Sequence, residues 1–153
     1  MSQYTERAVE LFMSGYNCAQ SVFAAFHDRV GLPMELALRV SAGLGGGVGR
    51  LREVCGALCG AAMLAGMLYG ATQGEDQAAK AYTYQKVQEI AAEFRKSNPS
   101  ILCRELLGLP ADAPIVAQPE ARTESYYQDR PCPRIIESAA RAAEIILFPE
   151  EKV

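Results

Sequence analysis

The sequence predicts an all-α protein of one domain, a multi-helix bundle around a central apolar Gly/Ala/Cys-rich helix at about residues 50–70. Two observations predict it. Apolar residues recur at three- and four-residue spacing through most of the chain, and no strand-like alternation lasts long enough to build a sheet. At 153 residues and 50% hydrophobic, the chain should bury roughly 70% of its unfolded surface, which supports a core without staples.

The helices follow in order. Val9, Phe12 and Met13 mark the apolar side of the first. Asn17 is a good N-cap for a second, which carries Val22, Phe23, Phe26 and Val30. Leu32-Pro33 opens a third, with Leu36, Val40 and Leu44 along one side, and the run Gly43, Gly45, Gly46, Gly47, Gly49 breaks it. A fourth runs from about Arg50 to Tyr69, and a long polar fifth from about Glu75 to Lys96 carries Ala79, Val87, Ile90, Ala91 and Phe94. Asn98-Pro99 reads as a cap and first helical position for a short helix to Leu107, ended by Gly108. Residues 109–131, spaced by Pro110, Pro114, Pro119 and Pro131, read as an irregular loop of a length that is often functional. The last helix follows Cys132-Pro133, with Ile135, Ile136, Ala139, Ala143, Ile146 and Leu147 on its buried stripe. The domain is expected to span residues 1–153.

Composition excludes several function classes. Fifteen Lys and Arg against eighteen Asp and Glu leave a net charge of −3, with no basic surplus for phosphates, so no nucleic-acid partner is expected. The chain holds no Trp for a base-stacking platform. Residues 54–74 are uncharged and long enough to cross a bilayer, and they contain Gly56-x-x-x-Gly60. Their two Cys, five Gly, Thr and Gln favour a buried core helix over a membrane span. The opening residues Met-Ser-Gln-Tyr-Thr-Glu-Arg carry no secretory pattern, so cytoplasmic residence is the expectation.

Five cysteines in a reducing compartment suggest catalytic, redox-sensing or metal-binding thiols. Cys18 follows the cap Asn17, Cys132 precedes Pro133 with Arg130 and Arg134 nearby, Cys103 adjoins Arg104, and Cys55 follows Arg50 and Arg52. Unpaired amides and the helix dipole at helix starts favour thiolate and lower a thiol's pKa. Cys55 and Cys59 share a helix face, but parallel side chains on an intact helix fit a disulfide torsion poorly. Cys59, among Leu58, Gly60, Ala61 and Ala62, best suits the role of small apolar filler. Gly45, Gly46 and Gly47 lie in a run that lacks the Lys-Ser/Thr of a P-loop; it reads as a tight bend with a candidate anion-binding nest of amides. His27, beside Asp28 and Arg29, reads as a solvated surface residue, so no Cys-His couple is expected. Tyr126-Tyr127 either covers a pocket or anchors the loop.

Five segments carry a resemblance. They are Gly15-Tyr16-Asn17-Cys18-Ala19-Gln20-Ser21-Val22, Gly43-Leu44-Gly45-Gly46-Gly47-Val48-Gly49-Arg50, Cys55-Gly56-Ala57-Leu58-Cys59-Gly60-Ala61, Cys103-Arg104-Glu105-Leu106-Leu107-Gly108, and Cys132 ahead of the last helix. In order and spacing they resemble a bacterial and archaeal family of redox-active proteins named for the pattern C_GCAxxG_C_C. The resemblance implies four family cysteines, Cys18, Cys55, Cys103 and Cys132, with Cys59 at a variable position. It also implies redox chemistry, since some relatives use selenocysteine. A related domain occurs in haem proteins where an iron–sulfur cluster is implicated, although this chain has no Cys-x-x-Cys-His attachment sequence for haem.

Three functions are then open. In the first, Cys55 and one of Cys18, Cys103 or Cys132 exchange a disulfide with a redox partner protein or a small-molecule thiol. In the second, Cys18, Cys55, Cys103 and Cys132 ligate an iron–sulfur cluster or zinc. In the third, the chain is a non-catalytic helical interaction module. The small-residue surface Ala139, Ala140, Ala142 and Ala143 suits packing in the core or between the subunits of a homodimer.

Overall fold

A computed structural model describes residues 1–149, and among these the chain forms eight α-helices and the 3-10 turns 27–29 and 42–44; residues 150–153 of the expected domain lie outside the described residues. The helices are α1 (Gln3–Met13), α2 (Cys18–Ala25), α3 (Met34–Ser41), α4 (Gly56–Tyr69), α5 (Gln77–Arg95), α6 (Cys103–Leu106), α7 (Glu124–Asp129) and α8 (Cys132–Leu147). The only extended pairing among the described residues is an isolated antiparallel bridge between Val54 and Leu102.

α4 packs against α2, α5 and α8, while α1 lies across α2 and α8 and α3 rests on α2. The α2–α4 crossing is close because of Gly60. A Cβ there would stand 2.8 Å from the Ala19 carbonyl oxygen and 3.2 Å from the Phe23 nitrogen. Stacked rings of Tyr4, Phe26 and Phe148, with centroids 4.9 and 5.4 Å apart, join α1, the end of α2 and the end of α8. Ala139, Ala140, Ala142 and Ala143 are all buried within the chain, so they do not offer a surface to a second copy. α4 has 14 residues, and no helix among the described residues is long and apolar enough to cross a membrane.

Several local expectations are corrected. α2 stops at Ala25, and residues 27–29 form a 3-10 turn closed by Leu32 N–H donating to the His27 carbonyl at 2.9 Å. His27 is half-buried there, its Nδ1 2.8 Å from the Leu32 carbonyl oxygen. On α3 the buried residues are Ala37 and Ser41, while Leu36 and Val40 are 48% and 53% exposed. Small residues fit the contact with α2, and the Ser41 hydroxyl is satisfied by the Ala37 carbonyl at 2.7 Å.

α4 starts at Gly56 rather than Arg50, because residues 53–55 are held extended: Cys55 N–H donates to Ile101 O at 2.8 Å and Cys103 N–H to Glu53 O at 2.6 Å. The same pairing delays the short helix to Cys103. Asn98 instead closes the end of α5, its Nδ2 donating to Phe94 O at 2.9 Å and to Ser138 Oγ at 2.8 Å. Within 109–131, Thr123 caps the short α7, its hydroxyl accepting from Tyr126 N–H.

Candidate functional site

Cys18, Cys55, Cys103 and Cys132 line one cavity of about 320 Å³. Each comes from a different element. Cys18 opens α2, Cys55 is the N-cap of α4, Cys103 opens α6 and Cys132 opens α8. All are free thiols, with Cys55 and Cys103 buried and Cys18 and Cys132 half-buried. The bridge at Val54 and Leu102 fixes Cys55 beside Cys103, because the hydrogen bonds that flank it involve the amides of both cysteines. The capping box of Asn17 and Gln20 fixes the start of α2, and Asn17 Nδ2 reaches the Ala42 carbonyl at 2.9 Å.

The glycine run is the wall that packs these pieces together. A Cβ on Gly45 would overlap the Asn17 side chain, and one on Gly56 would overlap Cys18 Sγ. A Cβ on Gly47 would stand 2.7 Å from Cys103 Cβ and 2.7 Å from Glu53 N. Residues 46–50 all have positive φ, from +59° to +71°, and Arg52 has φ +63°. Val48, Arg50 and Arg52 occupy this left-handed region despite having side chains, an unfavourable conformation of the kind that clusters at functional sites. Cross-turn bonds hold it: Arg50 N–H to Gly45 O at 3.0 Å, Arg52 N–H to Gly46 O and Glu53 N–H to Gly47 O, both at 3.1 Å. Gly45 and Gly46 line the cavity and Gly47 backs Cys103. The Gly46 amide lowers the Cys18 thiol's pKa against the effect of burial, so one of the three candidate nest residues acts on a thiol of the chain itself.

The expected acidification is overturned for Cys18, Cys55 and Cys132. Burial pushes the Cys55 thiol up to about 12, helped by the nearby Cys18 sulfur, against the lowering amides of Leu58 and Ala57. Burial likewise pushes Cys132 up to about 11; Cys18 adds to the rise, while Arg130 and Arg122 oppose it. Cys18 is also raised by burial, although the amides of Gly46 and Ala19 pull the other way. The helix-start amides are therefore present, but taking a charged sulfur out of water outweighs them.

Cys103 differs in its partner. Arg52 Nη1 donates to Cys103 Sγ at 3.6 Å, a cationic contact that stabilises negative charge developing on that sulfur. Four arginines line the cavity, Arg50, Arg52, Arg122 and Arg130, and no Asp or Glu does. Arg122 has no sequence signal beyond its place in the proline-spaced segment. It donates to the carbonyls of Phe12 and Tyr16, each at 3.0 Å, and stacks over Phe12 with its guanidinium carbon 4.4 Å from the ring centroid. With Tyr127 Oη on Met13 O at 3.2 Å and Arg50 Nε on Val116 O at 2.8 Å, it ties residues 116–127 across the cavity. Tyr126 lines the cavity and Tyr127 anchors the segment, so the tyrosine pair does both jobs.

Other candidates lie elsewhere. Cys59 sits in a second groove between α4 and α5 with Val87, Ala91 and Arg95, and its thiol is raised by burial. His27 is outside the cavity. Arg104 turns to the Arg52 carbonyl at 3.1 Å and pairs with Glu53 at 3.0 Å, and Arg134 is exposed outside the cavity.

Four thiols on one cavity are also a candidate set of metal ligands. Among the described residues no three or more His, Cys, Asp or Glu side chains are grouped so as to hold a metal ion. As arranged, the four sulfurs line the same cavity without forming such a group.

No curated protein and no solved structure matches the chain significantly. Residues 16–146, from just before Cys18 to nearly the end of α8, match the family described as "Putative redox-active protein (C_GCAxxG_C_C)". That match takes in all four cavity cysteines and the glycine wall between them, and the chain belongs to the C_GCAxxG_C_C family.

Proposed function

We propose that the chain is a thiol–disulfide redox protein in which Cys18 and Cys103 form the exchanging pair. The observation that carries this reading is the convergence of four cysteines, up to 114 positions apart (132 − 18), on one cavity that excludes the fifth. Within the set, Arg52 donates a charged hydrogen bond to the Cys103 sulfur, and the Gly46 amide opposes the effect of burial on Cys18. Cys18 is also the common neighbour, since its charge is the next influence after burial on both Cys55 and Cys132. Oxidation removes two electrons and two protons from the two thiols and forms one S–S bond; an accepting disulfide takes them up and leaves as two thiols. Free thiols of this kind suit a reducing compartment such as the cytoplasm.

The test is a thiol count by alkylation and intact mass, before and after mild oxidation and again after dithiothreitol. Two thiols should disappear and return, with peptide mapping placing the bond between Cys18 and Cys103. Cys18→Ser or Cys103→Ser should abolish the reversible loss, while Cys59→Ser should keep it. An unchanged count would overturn the redox reading. Stoichiometric iron or zinc in anaerobically purified protein would replace it with metal binding.

A further inference from the structure

The cavity encloses its sulfurs in part, and that limits what can reach them. Of the exchanging pair, Cys103 is only 8% exposed and Cys18 is half-buried, in a cavity also lined by Arg50 and Arg122, which pin residues 116–122. A cavity of about 320 Å³ lies at the lower end of the range for small-ligand pockets, a size that suits a small molecule better than the surface disulfide of a folded protein.

The charge of the lining then selects among small molecules. The chain as a whole carries −3, yet four arginines and no carboxylate line this cavity. Arg130 is paired with Glu120, which lies near enough to Arg50 and Arg52 to feel their charge. Arg50 is bonded to a backbone carbonyl, Arg122 to two carbonyls, and Arg52 to a sulfur; none of the three has an ion-pair partner among the described residues. Half-buried guanidiniums without carboxylate partners favour an anion. Leu106, Ile135 and Ile136 complete the lining, giving the occupant an apolar side.

Resting on the thiol–disulfide reading above, we infer that the oxidant taken into this cavity is a small carboxylate-bearing disulfide rather than a protein disulfide. One carboxylate lies on Arg50 and Arg52 while the S–S bond meets the cavity sulfurs. Cys103 sulfur attacks one sulfur of R–S–S–R, its proton passing to solvent; a mixed disulfide forms, and RS⁻ leaves and is protonated to RSH. Cys18 sulfur, losing its proton likewise, then attacks Cys103 sulfur, the Cys18–Cys103 bond forms, and the second RS⁻ leaves as RSH. Two protein thiols are oxidised and one small disulfide is reduced to two thiols.

The experiment compares oxidation of the full chain by three small disulfides, 3,3′-dithiodipropionate (anionic), bis(2-hydroxyethyl) disulfide (neutral) and cystamine (cationic). Each rate is divided by that of the same reagent with free dithiothreitol. The anionic reagent should exceed the neutral one by about ten-fold or more, the scale of focusing by a charged cleft, and cystamine should fall below both. Raising the salt concentration should shrink the advantage. So should Arg50→Gln and Arg52→Gln, whereas Arg39→Gln, an exposed site on α3 paired with Glu35, should leave the ratio intact. The unreactive thioether 3,3′-thiodipropionate should slow the anionic reagent by competition. The charge series on the unmodified chain stands even if an arginine variant fails to fold. Equal normalised rates for the three reagents, with the disulfide still forming, would overturn the anionic substrate and leave the redox function standing. Failure of every reagent to form the bond would remove both.

Discussion

Cys132 provides a direct measure of how far burial governs this cavity. Its thiol is pushed up to about 11 from an ordinary value of 9.0, because most of its surroundings are protein and Cys18 lies nearby. At pH 8 an ordinary thiol of that kind is about one-tenth thiolate and Cys132 about one-thousandth, so its alkylation should be about 100-fold slower. Peptide-resolved mass spectrometry after timed iodoacetamide pulses, from pH 7 to 11.5, should place half-maximal labelling of Cys132 near pH 11 and that of Cys55 beyond the range. The same peptides from urea-unfolded protein should label with the ordinary profile. The sign for stability follows. Between about pH 9 and 11 the folded chain keeps protons that the unfolded chain releases, so stability from these neutral thiols is complete below about pH 9 and is lost as pH rises toward the folded values. The urea midpoint should therefore fall above pH 9. Saturated labelling of Cys132 below pH 9 in folded protein would refute the claim that desolvation outweighs Arg130, Arg122 and the helix start.

Three further perturbations test the scaffold. Gly60→Ala should cost about 1–3 kcal/mol in urea unfolding, because the new methyl meets the Ala19 carbonyl oxygen and Phe23 nitrogen, backbone atoms with no cheap way to retreat. Val48→Gly should gain about 1 kcal/mol and raise Tm by about 2–4 °C, since Val48 is 37% exposed at φ +63° and gives up more strain than packing. Arg122→Ala removes two charged donors from the Phe12 and Tyr16 carbonyls. Limited proteolysis within residues 109–123 should then run about ten-fold faster at an unchanged global Tm.

How much of this was legible in the sequence depends on the range of the forces involved. Helical periodicity is local, so α1, α5 and α8 stand close to their expected places, and the Asn17 cap is read directly from the residues that follow it. The start of α4 was not legible at Arg50. It is set by hydrogen bonds to Ile101 and from Cys103, some fifty positions away, and by left-handed residues whose side chains give no hint of that conformation. The exposed Leu36 and Val40 misled the reading of α3, whose inward side is made by Ala37 and Ser41, with Met34 and Leu38 packed against the core. The set Cys18, Cys55, Cys103 and Cys132 came from the resemblance, since their long, irregular spacing does not show that they gather, and their helix starts pointed to the wrong electrostatics for Cys18, Cys55 and Cys132. Helix-start amides are visible in a sequence, whereas the depth at which a sulfur lies is a property of the whole packing.

That reversal changes where reactivity must come from. Thiols held neutral by burial are poor nucleophiles at neutral pH, so an enclosed cluster of them would be inert unless something lowers the energy of charge on one sulfur at the moment of exchange. For Cys18 and Cys103 the glycine wall does this. It brings the Gly46 amide to Cys18, and its left-handed turn carries Arg50 and Arg52 into the lining and Arg52 onto Cys103. A right-handed continuation of α3 through residues 46–52 would project those two arginines in different directions from the ones seen. The unfavourable backbone at Val48, Arg50 and Arg52 and the placement of positive charge beside buried sulfur are thus one feature, and the chain keeps the first because it produces the second.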